Sequence, residues 1–184
     1  MPHDPGAPRI VVASGMAGTG VSLMSETLHD AAPGLNVVDA GATWNEIADV
    51  CAPGFTRMIV VTTPDIIAVT SAYALIKLVR DRFTEAPVEV LVNCSEERDA
   101  LKTYEKIQLA CSHFLDETVG YAGSVPYDAA TQEPGGMPTD DLGSATPGAA
   151  AISAVHNLAT RLDEELAATT LRNSWRHGER RATL

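Results

Sequence analysis

Eight residues, Gly15-Met16-Ala17-Gly18-Thr19-Gly20-Val21-Ser22, sit between an apolar run, Arg9–Ser14, and a helical pattern. Glycines at this spacing let backbone N–H groups converge on the oxygens of an anion. The following helix N-terminus adds a favourable partial positive charge. The segment fits the phosphate-cradling pattern G-x-x-x-x-G-K-[ST] at every fixed position except the lysine, where Val21 stands. Ser22 occupies the place of the hydroxyl that would hold Mg²⁺. A tight strand-to-helix turn would require the same glycines, so the eight residues alone leave both readings open. Other chemistry has weaker support. The five histidines, His3, His29, His113, His156 and His177, show no metal-ligand spacing, and Ser14, Ser22 and Ser25 lie in no nucleophile elbow.

Positioning such a loop requires a strand before it and a helix after it, and the rest of the chain supplies this alternation. Five apolar runs, Arg9–Ser14, Leu35–Asp39, Met58–Thr63, Val88–Asn93 and a weaker Val119–Val125, alternate with helical patterns. Near-continuous Val/Ile content without polar alternation predicts parallel strands covered on both faces. Thr63-Pro64-Asp65 offers a cap, a first-turn proline and a first-turn acid for a helix running to about Phe83. A further helix opens at Ser95-Glu96-Glu97, with Leu101, Tyr104, Gln108, Cys111 and Phe114 or Leu115 as its predicted core face. The last begins near Pro147 and carries Ile152, Val155, Leu158, Ala159 and Leu162 on one stripe. Between Ala129 and Gly148 the Pro, Gly, Thr and Asp content predicts a surface loop.

The 184 residues suit one domain, expected over residues 1–171, followed by a basic tail over 172–184 that is expected to fray. A net charge of −11 argues against a nucleic-acid partner, because phosphates would be repelled. Three scattered cysteines, Cys51, Cys94 and Cys111, form no disulfide framework or zinc pattern and favour a reducing compartment. The opening residues lack a basic stretch followed by an apolar one, so no secretion signal is expected. The longest apolar region, Met58 to Val79, is broken by Pro64 and Asp65 and cannot span a membrane. A cytoplasmic α/β protein is the expectation.

Ser14 to Ser22 resembles the deviant Walker A loop, (S)GKGGVGKT, of the MinD/ParA group of P-loop ATPases. Val60-Val61-Thr62-Thr63-Pro64-Asp65 with Thr70-Ser71-Ala72-Tyr73-Ala74-Leu75-Ile76-Lys77 is similar to VVTTPEP…TDAYALIK of the FlhG/FleN branch, which governs flagellar number and position. Leu35 to Gly41 looks like its Walker B strand, Val92-Asn93 matches its VN, and Gly120 to Asp128 matches the segment closing its adenine pocket. The resemblance covers about four-fifths of the chain. It implies a nucleotide site of Gly15, Gly18, Thr19, Gly20, Ser22, Asn93, Pro126 and Asp128, holding ATP or ADP. Mg²⁺ would be held by Ser22 and supported by Asp39. Turn chemistry accounts equally for Asp39, Asn93, Pro126 and Asp128. Trp44, after the Walker B strand, reads first as a half-buried anchor.

Two departures shape the functional expectation. Met16 replaces the signature lysine and Val21 the phosphate lysine, and no Lys precedes Lys77. A lost charge-assisted bond to phosphate costs roughly 1.5–3 kcal/mol in binding. Losing fixed charge at the transferring phosphoryl group costs about 10²–10³ in rate. In addition, one helix replaces the long segment that separates Walker A from Walker B in the family, and with it the aspartate that activates water. One right-handed crossover still returns the second strand beside the first, giving a three-layer, doubly wound sheet of order 2-1-3-4-5. The resemblance therefore implies a catalytically inactive regulatory or scaffolding module with a protein partner, placed at a cell pole, flagellum or division site. The alternative is an ATP/ADP-binding switch with slow or no hydrolysis. Leu171, Trp175 and the tail arginines imitate only weakly the membrane-docking helix common at the end of such proteins.

Overall fold

The computed structural model describes residues 8–83, 87–127 and 148–181, with side chains as far as residue 168. The elements run β1 (Arg9–Ser14), α1 (Val21–Ala31), β2 (Asn36–Asp39), α2 (Trp44–Cys51), β3 (Arg57–Thr62), α3 (Ile66–Arg82), β4 (Val88–Val92), α4 (Glu97–Phe114), β5 (Gly120–Ser124) and α5 (Ala149–Arg181). All strand pairs are parallel and the order is β2-β1-β3-β4-β5, as the sequence predicts.

The three layers follow from which residues each strand presents to each face. In β1, Ile10 and Val12 pack with Val21, Met24 and Leu28 of α1 and Val155, Leu158 and Leu162 of α5. Val11 and Ala13 face the other way, onto Ile47 of α2 and Ala72, Leu75 and Ile76 of α3. The central strands β1 and β3 are buried along nearly their whole length, so an uninterrupted apolar run is the composition they require. β2 and β5 form the edges and are only half-buried.

Local structure departs from the sequence reading in three places. Asp65 is itself the N-cap of α3, accepting from Ile67 N (2.8 Å) and Ala68 N (3.4 Å), so the helix begins after Pro64 rather than at it. The core face of α4 is Ala100, Thr103, Ile107 and Cys111, with the predicted Tyr104 and Leu115 packed at its margin. Leu101 and Phe114 are exposed, because smaller side chains let α4 approach the sheet. Gln108 ties α4 to β5, its Oε1 accepting from Val119 N at 2.8 Å. Finally, α5 continues without a break through residues 172–181, the segment expected to fray. The loop expected at 129–148 lies outside the described residues except for Gly148.

A four-membered charge network fastens α5 across the far half of the sheet. Arg57 of β3 donates to Glu89 of β4 and to Glu165 of α5 (2.7 Å). Arg161 of α5 bonds Glu89 (3.2 Å), Glu165 (3.1 Å) and the Ala122 carbonyl of β5 (3.1 Å). Burial alone would raise the Glu165 carboxyl, but hydrogen bonds from Arg57 and Arg161 outweigh it and hold it below the ordinary 4.5. Because that folded value is depressed, the contribution is complete above pH 4.5 and is lost as pH falls through the folded value. Glu89→Ala would leave Glu165 as the one carboxylate shared by Arg161 and Arg57, whose side chain is 14% exposed. Urea denaturation is expected to read a loss of about 1.5–3 kcal/mol at pH 7.

Candidate functional site

The candidate site lies at the carboxyl ends of β1 and β4, where α1 starts. Gly15 leaves β1 directly beneath α3: a Cβ placed there would stand 2.2 Å from the Ser71 carbonyl oxygen. Only glycine lets the two backbones meet. Gly18 (φ +82°) and Gly20 (φ +85°) then turn the chain through left-handed conformations into α1, whose N-cap, Gly20, offers no side chain to its first N–H groups.

Side chains inside the loop fix this path. Ser14 Oγ accepts from Thr19 Oγ1 (2.7 Å) and from Met16 N (3.2 Å), and donates to the Met16 carbonyl (2.8 Å). Asn93, at the end of β4, donates through Nδ2 to the Thr19 carbonyl (2.9 Å) while its Oδ1 accepts from Cys94 N (2.9 Å). Ser14, Thr19 and Asn93 are all buried. A Cβ on Gly20 would lie 2.5 Å from Asn93 Nδ2, so this bond also requires glycine opposite it.

The structure thus brings together Gly15, Gly18, Thr19, Gly20, Ser22 and Asn93. Pro126 follows β5, beyond Asn93 in the strand order, and Asp128 lies outside the described residues. Asp39 ends β2 exposed to solvent, its carboxylate accepting from Gly41 N at 2.8 Å to close the turn. Trp44 is half-buried against the α2/α3 core, as an anchor would be. Ser14 and Ser71 escaped the sequence reading as site residues. A hydroxyl bridging its own loop and a helix backbone pressed on a glycine leave no local pattern.

Two features decide what the loop can do. Among the described residues, no acceptor takes the backbone N–H groups of Gly18, Thr19, Gly20, Val21, Ser22 and Leu23. Val21, at the position of the phosphate lysine, is instead packed into the core with Met24 and Leu28. No lysine stands within the loop. The described residues contain no cluster of three or more metal-ligating side chains.

Comparison with known proteins reaches the same architecture. No family model and no curated protein sequence matches the chain. Solved structures do. MinD cell division protein from Aquifex aeolicus superposes with a TM-score of 0.56 at 15% identity, covering 86% of this chain and 98% of that one. The MinC:MinD cell division protein complex from the same organism gives 0.55 at 14% identity, covering 86% and 96%. The fold is MinD-like. At this identity the likeness extends to the fold alone, in which the glycine loop occupies the end of the first strand.

Gly15→Ala should push α3 off β1 and cost about 3 kcal/mol or more, read as a lower urea midpoint. Asn93→Ala should leave the Thr19 carbonyl without its donor and cost about 1–3 kcal/mol in thermal unfolding without any ligand present.

Proposed function

We infer that this chain is a MinD-type module that has lost nucleotide hydrolysis and acts by contacting protein. The carrying observation is Val21: the position that should project a cation onto a phosphoryl group is buried among Met24 and Leu28 instead. Met16 replaces the other lysine of the loop, and Asp39 caps its own turn. Stabilising charge on a transferring phosphoryl group needs preorganised cations or a metal, and the loop supplies only neutral N–H donors. The resemblance to FlhG/FleN sequences and the likeness to a MinC:MinD complex support a placement role, at a flagellum, pole or division site, through a protein partner.

The six available N–H donors favour a second reading, a switch that binds ATP or ADP without turning it over. When bound, the nucleotide would bring phosphate charge to the head of α1, with Gly18, Thr19, Gly20 and Ser22 as holders. Ser22 and Asp39 are the candidates near Mg²⁺. Asn93 would read adenine only by releasing Thr19 or by using its second amide hydrogen. A cytoplasmic site, with peripheral contact at a membrane or pole, belongs to the same proposal; no described helix is long and apolar enough to cross a membrane.

Titration calorimetry with Mg-ATP and Mg-ADP at low salt, paired with a phosphate-release assay, separates these readings. We expect no phosphate release above the protein-free rate and no binding tighter than millimolar. Micromolar binding without turnover would establish the switch in its place, whereas measurable turnover would overturn both.

A further inference from the structure

The two helices on one face of the sheet are held in different ways. α1 is tied at both ends, to β1 before it and β2 after it. α5 follows β5, and among the described residues no strand follows α5. The pairings of the sheet are all between β1, β2, β3, β4 and β5, so lifting α5 would break none of them. Its apolar stripe, Ala151, Val155, Leu158, Leu162 and Leu166, is buried and packs chiefly along α1. β5 offers the helix little beyond Ala122 and two glycines.

Polar bonds join α5 to the sheet at Arg161 and Glu165. Arg161 donates to Glu89 of β4 (3.2 Å) and to the Ala122 carbonyl of β5 (3.1 Å). Glu165 accepts from Arg57 of β3 (2.7 Å). Glu89 is 8% exposed, so its charge depends on Arg57 and Arg161 for compensation. The closed arrangement is incompletely satisfied, because Arg57 Nε is buried with no acceptor among the described residues. A buried donor left unmet counts against the closed state, and water reaches it once α5 lifts. Ion pairs at this depth add little net stability, yet removing one member leaves the others short of charge and favours the hydrated, open state.

We propose that α5 is a strap that lifts from the sheet as one unit while the five strands stay paired. The network of Arg57, Glu89, Arg161 and Glu165 is the latch that sets how often it lifts. Opening uncovers Ile59, Val61 and Leu91, which share the buried cluster with the α5 stripe. It needs no ligand at the glycine loop.

Amide hydrogen exchange of the full chain at pH 7, read by mass spectrometry, tests the strap and the latch together. A helix lifted from its packing surface loses most of its protection, because packing supplies most of its stability. In the native chain, amides of residues 155–166 should exchange at least tenfold faster than those of β1 and β3. Glu165→Gln and Arg161→Gln replace side chains that are 41% and 37% exposed, so the fold accommodates both. Each should speed the α5 amides a further tenfold or more and change β1 and β3 less than twofold. Exchange of α5 in step with β1 and β3 in the native chain overturns the strap, whether or not a variant folds. Variants that speed all three elements together, or none of them, overturn the latch.

Discussion

The backbone of α3 lies against Gly15 with no room between them for a side chain, and much of the molecule is arranged around that contact. It fixes where β1 ends and how the glycine loop departs. It also seats Ala72, Leu75 and Ile76 over the central strands. Gly15 and Ser71 line the groove beneath Trp44 and Leu78, so the same approach of two backbones shapes one wall of the loop and the floor of the α2/α3 surface. A single methyl group there would separate the elements that make both.

The loop itself holds its path without any cation. The path depends on positive φ at Gly18 and Gly20 and on the buried bonds joining Ser14, Thr19 and Asn93, none of which involves a lysine. An apolar side chain at position 21 finds a place in the core beside Met24 and Leu28, so the substitution leaves no buried charge to compensate. The donors at the head of α1 stand beside an apolar side chain at position 21.

Removed from the loop, the charge network of Arg57, Glu89, Arg161 and Glu165 answers a different problem. α5 must cover β3, β4 and β5, and β5 is a short strand with glycine at both Gly120 and Gly123 and little apolar surface to offer. Glu89 lies over Gly120, where a Cβ would approach its side chain to 2.8 Å, and the two arginines join it to α5. Ion pairs at this depth hold a helix in one register. They are a poor source of net stability, because desolvation opposes them.

Much of this protein was legible in the sequence, and the reason is local. Continuous Val/Ile runs specify strands buried on both faces, and helices between them specify parallel connections, so the parallel sheet followed from composition and its 2-1-3-4-5 order from the family resemblance. The glycine loop was legible because positive φ restricts residue choice to glycine. The core face of α4 was legible only in part: Tyr104, Cys111 and Leu115 pack as their spacing predicts, but Leu101 and Phe114 are exposed and Ala100, Thr103 and Ile107 meet the sheet. Nor did the sequence decide the role of Asn93, whose amide could serve a ligand or a turn until β4 placed it against Thr19. The Ser71–Gly15 contact and the groove are equally tertiary. Sequence determines conformations that depend on a residue and its neighbours, whereas distances between residues remote in the chain exist only once the layers have packed.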